Sequence, residues 1–195
     1  MKIGLYFGSF NPIHNGHLII ANYIANNSEL EQVWLVVSPQ NPFKKSAVLL
    51  NEYDRLFLAR IAVEDEPRLK VSDVEFKLPQ PSYTIDTLIY LEEKFPQNEF
   101  SIIMGSDSYQ NLHKWKNTDL ILKKYSIIVY ERPGHKIREE EIKGTRIKLL
   151  KAPLLEISAT TIRQNIKRGK SIRYLVPEKV REEIEKSGYY KSEIK

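Results

Sequence analysis

The residues best equipped for chemistry lie in one run, Gly8-Ser9-Phe10-Asn11-Pro12-Ile13-His14-Asn15-Gly16-His17. It carries two of the chain's four histidines, three positions apart. At that spacing both imidazoles can turn toward one ligand near a helix start. Three readings stand open: a metal pair, although no third ligand is evident nearby; histidines that merely occupy a helix start; or donors to phosphate oxygens. A neutral imidazole donates from one nitrogen and a protonated one from both. The surrounding turn fits phosphate best. Gly8 permits close backbone approach or a positive φ, Pro12 stiffens the loop, and Gly16 and His17 open a helix whose free N–H groups favour an anion.

A second run, Ile157-Ser158-Ala159-Thr160-Thr161-Ile162-Arg163, follows about 140 residues later. Ser158 is a good N-cap for the helix after it. The plain reading is a cap plus a surface arginine. The functional reading is a second helix N-terminus aimed at phosphate, with hydroxyl donors and Arg163 as a forked cation.

The elements that must position these runs alternate between short β-rich stretches and longer helical patterns. Strands are expected at Lys2–Phe7, Gln32–Val37, Leu69–Asp73, Phe100–Met104, Ser126–Tyr130 and Arg146–Leu149. Helices are expected at Gly16–Asn27, Asn51–Glu64, Thr84–Lys94, Leu120–Lys124, Ala159 to about Arg168, and Pro177–Ser187, with Gly188 as a stop. In the second helix Tyr53, Leu56, Phe57 and Ile61 mark the expected apolar face. Such alternation predicts an α/β fold, a Rossmann-like, doubly wound, mostly parallel sheet with helices on both faces. Ligands in such sheets sit beyond the carboxyl ends of the strands, where strand order reverses. The Gly8–His17 run follows the first expected strand directly.

Length and composition bound the rest. The 195 residues fit one domain spanning 1–195, with a C-terminal helical portion from about 158 to 195. There is no cysteine, which excludes disulfides, thiolate metal sites, iron–sulfur clusters and a cysteine nucleophile. No apolar run reaches the ~18 residues of a membrane span, and the N-terminus lacks a signal-like stretch, so a cytoplasmic protein is expected. Residues 1–100 hold nine basic and thirteen acidic side chains; the remainder hold 21 and 12. Arg163–Arg173 has five cations and no acid. That run reads either as a solvated helix face or as an attractor of polyanions.

The first run resembles the G-x-F-x-P-x-H-x-G-H motif of the nucleotidyltransferase superfamily, related to the HIGH motif of class I aminoacyl-tRNA synthetases. All six defined positions match: Gly8, Phe10, Pro12, His14, Gly16 and His17. The second resembles the superfamily's I-S-S-T-x-I-R motif, which holds the β- and γ-phosphates of ATP. Ser158, Thr160 and Arg163 match, and Ala159 replaces the second serine. Further segments are similar to those of bacterial nicotinate-nucleotide adenylyltransferases. They are Ser82-Tyr83-Thr84-Ile85-Asp86-Thr87, Gly105-Ser106-Asp107 followed by Trp115, Arg132-Pro133-Gly134, and Pro42-Phe43-Lys44 with Phe43 in place of a histidine. The resemblance runs from Lys2 to the last helix.

What it implies is adenylyl transfer from ATP to nicotinate mononucleotide, giving deamido-NAD and pyrophosphate. His14, His17 and Arg163 are then expected to be catalytic. Gly8, Ser9, Phe10, Gly16, Arg132, Ile157, Ser158 and Thr160 would join them around ATP. Lys44, Ser82, Tyr83, Thr84, Asp107, Trp115 and Lys116 would hold the acceptor, with Trp115 stacked on its pyridine ring. Lys116 would add positive potential for the ring carboxylate. Mg²⁺ would arrive on the ATP phosphates, with no protein-held metal. Alternatives are an adenylyltransferase using nicotinamide mononucleotide or phosphopantetheine, or a non-catalytic nucleotide or RNA module. RNA recognition usually needs a stacking platform, and Tyr174, Tyr189 and Tyr190 are too scattered to form one, so nucleic acid is disfavoured. Self-association into a homo-oligomer is left open.

Overall fold

The computed structural model describes residues 1–40, 49–153 and 156–191. The expected Pro42-Phe43-Lys44 contribution lies outside them. Six strands, β1 (Lys2–Gly8), β2 (Gln32–Val37), β3 (Leu69–Ser72), β4 (Glu99–Gly105), β5 (Ser126–Tyr130) and β6 (Ile147–Leu150), form one sheet ordered β3-β2-β1-β4-β5-β6. Every pairing is parallel. The order reverses between β1 and β4, the crevice where such sheets bind ligands.

The eight α-helices among the described residues are α1 (Asn15–Asn27), α2 (Glu52–Val63), α3 (Thr84–Lys94), α4 (Ser106–Tyr109), α5 (Thr118–Lys124), α6 (Glu139–Ile142), α7 (Ala159–Lys167) and α8 (Glu178–Ser187). Short 3-10 turns occupy Val74–Lys77 and Leu112–Lys114. α8 ends where Gly188 adopts φ 68°, the left-handed stop read from sequence. None of the helices is long and apolar enough to cross a membrane.

The strands are apolar on both faces because both are covered. Ile3, Leu5, Ile102, Met104, Ile127 and Val129 face one core, with Leu88 and Leu91 of α3 and Ile121 of α5. Tyr6, Val33, Leu35, Ile103 and Ile128 alternate to the other, where α1, α2, α7 and α8 contribute Ile24, Leu58, Ile162 and Val180.

α2 corrects one expectation. Tyr53 and Phe57 are exposed, while Leu56, Leu58, Ala59, Val63 and Arg55 are buried. Counting apolar residues placed the face wrongly because a charged residue belongs to the buried side. Arg55 is 0% exposed. Its guanidinium donates to the carbonyls of Leu50 (2.8 Å), Ser9 (2.6 Å), Ser38 (2.8 Å) and Pro39 (2.9 Å). It therefore ties the turn after β1 to the turn after β2. Burial lowers its pKa, yet a guanidinium stays charged at neutral pH.

Replacing Arg55 with Met strands several buried carbonyls at about 1–3 kcal/mol each. We expect the variant to lose at least about 3 kcal/mol in urea unfolding. A loss under about 1 kcal/mol would show that the two turns hold together without it.

Candidate active site

β1 delivers the chain into the turn Ser9–Ile13, and α1 takes it away. Phe10 sits at φ 45° with its ring buried. That ring lies against the Cα face of Gly8, where an added Cβ would stand 2.8 Å from Phe10 Cζ. The glycine is needed for close approach, since its own φ is not positive. Past the turn, His14 is the N-cap of α1. The imidazoles of His14 and His17 stack at 3.6 Å between centroids, 22° between planes. The His14 backbone N–H donates to His17 Nδ1 at 3.3 Å. Phe10 meets the His17 ring edge-on at 5.0 Å. Tyr6 and Tyr130 lie nearby, hydroxyl to hydroxyl at 3.1 Å; burial raises both of their pKa values and keeps them neutral.

His14 is 4% exposed, and its Nδ1 has no hydrogen-bond partner. Burial, helped by the Arg132 charge, lowers its pKa from 6.5 to about 4. The ring is therefore neutral at neutral pH, with Nδ1 buried against Gly16 in the first turn of α1. A buried polar atom without a partner costs free energy.

The second run closes on the first. Ser158 caps α7 by accepting from the Thr161 N–H at 3.1 Å. Arg163 Nη1 donates to the Asn11 carbonyl at 2.6 Å, and Nη2 to Thr160 Oγ1 at 3.2 Å. Asn11 Oδ1 in turn accepts from Tyr190 Oη at 2.8 Å and the Leu50 N–H at 3.2 Å. The helix start bearing Arg163 is thus bolted to the histidine turn.

At the end of β4, Gly105 lies against Asp107 and Arg132. A Cβ there would collide with Asp107 Oδ1 and stand 2.9 Å from Arg132 Cδ. Arg132 donates to Asp107 Oδ2 at 3.2 Å, while Asp107 Oδ1 is buried without a partner. The Arg132 backbone N–H is held by Ser106 Oγ at 2.9 Å.

These pieces surround one cleft of about 750 Å³. Gly8, Ser9, Phe10, His14, His17, Ser82, Tyr83, Thr84, Asp107, Trp115, Lys116, Arg132, Ile157, Ser158, Thr160 and Arg163 line it. Gly16 does not; it is buried in the first turn of α1. Of the basic run 163–173, Arg163 alone reaches the cleft, and Arg173 pairs with Glu178 at 3.2 Å. Tyr190 is buried, so the C-terminal tyrosines build no exposed stacking surface.

Lys116 lines the cleft as expected, and it has a partner that the sequence does not show. Its ammonium lies 2.8 Å from Asp86 Oδ2 and 4.9 Å from the centre of the Tyr83 ring. The expected surplus charge is already paired with a carboxylate from α3. The pair joins the Trp115 segment to the start of that helix. Tyr83 supplies no side-chain cap to α3, and Thr84 brings that helix start to the cleft wall.

Three residues escaped the sequence reading. Asn11 and Arg55 organise the turns, and Glu75, 3% exposed, lines the cleft and accepts from Thr87 Oγ1 at 3.1 Å. Burial raises the Glu75 pKa. A charged residue inside an apolar run, as at Arg55, was the one available signal. Among the described residues no group of three or more His, Cys, Asp or Glu could hold a metal ion.

The model of the cytidylyltransferase-like family matches residues 5–165, and the chain belongs to that class of nucleotidyl-transferring proteins. It is 56% identical over 192 residues to the "probable nicotinate-nucleotide adenylyltransferase" of Flavobacterium psychrophilum, spanning 98% of this chain and 100% of that one. The corresponding protein of Cytophaga hutchinsonii is 51% identical over 193 residues, spanning 97% and 98%. Within the class, the chain belongs to the nicotinate-nucleotide adenylyltransferase family. Among solved structures, a Plasmodium falciparum nicotinic acid mononucleotide adenylyltransferase complexed with NaAD shares the fold, with a TM-score of 0.80 at 21% identity over 97% of each chain.

The lowered His14 pKa has a consequence for stability. The folded state resists protonating this ring, whereas the unfolded chain accepts the proton near pH 6.5. Above about pH 6.5 the ring is neutral in both states and the shift has no effect; as pH falls toward 4 the unfolded chain takes up the proton and stability drops. The loss amounts to about 3 kcal/mol. Urea unfolding of His14→Gln should therefore fall less steeply than wild type across that window; parallel profiles would refute the assignment.

Proposed function

We propose that this chain transfers the adenylyl group of ATP to nicotinate mononucleotide, releasing pyrophosphate and forming deamido-NAD. The observation that carries the reading is the shared cleft of the stacked His14–His17 pair and Arg163, opening at the β1/β4 reversal. The full-length relationship to the named adenylyltransferases supports the choice of substrates.

The nucleophile is the 5′-phosphate of the mononucleotide. A phosphate monoester has a second pKa of about 6 and is largely dianionic at neutral pH. It needs no general base. It attacks the α-phosphorus of ATP in line, forming the new P–O bond as the bond to pyrophosphate breaks. The difficulty is electrostatic, because two anions must be pressed together. Positioning and preorganised donors supply the catalysis.

In this reading His17 donates to the α-phosphate and His14 to its neighbour. A phosphate oxygen would satisfy the His14 imidazole and raise its lowered pKa. Arg163, with Ser158, Thr160 and the first amides of α7, holds the leaving pyrophosphate. Ala159 costs one hydroxyl but keeps its backbone N–H. Gly8, Ser9, Phe10, Gly16, Ile157 and Arg132 shape the ATP side. Trp115 stacks on the pyridine ring, and the amides near Thr84 and after Trp115 receive its carboxylate, with Ser82 and Tyr83 beside them. Asp107, paired with Arg132, accepts from a ribose hydroxyl or from a water that Mg²⁺ would carry. Lys44 joins the two phosphates. Mg²⁺ enters as part of the ATP substrate and neutralises its phosphates.

Pyrophosphate release with ATP and each of three acceptors tests the reading. Nicotinate mononucleotide should be strongly preferred to nicotinamide mononucleotide and phosphopantetheine. Preference for either rival acceptor would contradict it. His17→Ala should lower kcat at least about 100-fold in a folded protein, the scale of one lost transition-state donor; near-normal turnover would refute its role.

The Lys116–Asp86 pair sharpens the acid-over-amide question. Because Asp86 already neutralises the ammonium, Lys116→Ala should change the acid-to-amide ratio of kcat/KM by less than about 3-fold. A free cation bonding the carboxylate would instead contribute about 1.5–3 kcal/mol, more than 10-fold. A drop of that size would show that Lys116 leaves Asp86 to meet the substrate.

A further inference from the structure

A second cavity of about 370 Å³ shares no lining residue with the catalytic cleft. Its walls are Gln32 and Trp34 of β2, Lys70 to Ser72 of β3, the 3-10 turn from Val74 to Lys77, and the last turn of α3 with Tyr90, Lys94 and Phe95. Its volume falls within the ~300–1,000 Å³ of small-molecule pockets.

The chemistry of the walls is specific. Trp34 meets Phe95 edge-on at 5.8 Å. Lys94 Nζ lies 5.7 Å from the centre of Tyr90 and 5.6 Å from that of Phe95. Three lysines, Lys70, Lys77 and Lys94, face one carboxylate, Asp73. Asp73 is taken by Lys77 at 3.4 Å. Among the described residues Lys70 and Lys94 have no carboxylate partner. The cavity thus pairs an aromatic wall with two cations that have no carboxylate partner among the described residues.

We propose that this cavity is a second ligand site, and that it takes a planar aromatic carboxylate of one or two rings. The ring packs against Trp34 and Phe95, and the carboxylate meets the ammonium groups of Lys70 and Lys94. An uncharged aromatic would leave both cations unanswered, and a non-aromatic anion would forfeit the ring contacts. The site does not depend on the assignment of the catalytic cleft. It is connected to that cleft, however, because α3 begins at one and ends at the other. Glu75 of the 3-10 turn lines the first, and Val74 and Lys77 line the second.

The test uses 2-naphthoate with the full-length chain carrying Trp115→Ala. That change removes the tryptophan of the catalytic cleft and leaves Trp34 as the one tryptophan of the two in the sequence, so that emission reports on the second cavity alone. Calorimetry should find one naphthoate bound per chain, with a matching change in Trp34 emission. Adding Lys70→Glu and Lys94→Glu should weaken binding at least 10-fold, and neutral 2-naphthalenemethanol should bind at least 10-fold more weakly than naphthoate. The unfolding midpoint of the triple variant establishes that it is folded, and single Lys94→Gln provides a milder change expected to weaken binding in the same direction. Binding seen only when Trp115 is present would overturn the proposal, as would binding indifferent to both lysines or to the ligand's charge.

Discussion

Arg163 and Asn11 are separated by 152 positions, and one 2.6 Å hydrogen bond joins them. That contact governs the rest of the site. It fixes the start of α7 against the turn between β1 and α1, so that two helix N-termini and two histidines converge. Asn11 serves both ends of the arrangement, giving its carbonyl to Arg163 and its side-chain oxygen to Tyr190 and Leu50. Apolar packing supports the same contact, with Ile162 in one core with Phe10 and Ile13 and Ile157 against the first turn of α1. Together the two motifs form one concave surface over the reversal point of the sheet.

The constraint behind this geometry is the mutual repulsion of phosphoryl groups. The proposed chemistry asks the protein for little bond-making of its own, since its nucleophile arrives as a dianion. What must be provided is a rigid, cationic and donor-rich surface. Rigidity comes from below. Arg55 pins the turns after β1 and β2 from the interior, and the Phe10 ring fills the space that Gly8 leaves. His14 Nδ1 and Asp107 Oδ1 are buried beneath that surface without a partner. Their desolvation cost is offset by packing elsewhere, most directly in the two apolar layers that flank the sheet.

Much of this was legible in the sequence. Short apolar runs such as Gln32–Val37, alternating with helical patterns, specify a parallel sheet covered on both faces, and all six expected strands occur within about a residue of their positions. The two motifs were visible because their residue types are demanding: glycine where a ring must approach, histidine and arginine where anions bind. The rest was hidden for physical reasons. Arg55 reads as a surface charge because its partners are backbone carbonyls, which carry no sequence signature. The buried face of α2 was misplaced for the same reason. Lys116 reads as surplus charge because its partner, Asp86, is near it only in space. Glu75 lies in a 3-10 turn with no periodicity to reveal which way it points.

The central claim is that the chain positions two phosphoryl groups for direct in-line displacement and contributes no nucleophile itself. The most direct measurement is the stereochemical course at phosphorus. Turnover of a single diastereomer of adenosine 5′-(α-thiotriphosphate) with nicotinate mononucleotide should give a thiophosphoryl product of inverted configuration. Retention would mean that a side chain such as His17 had first taken the adenylyl group, and would contradict the account.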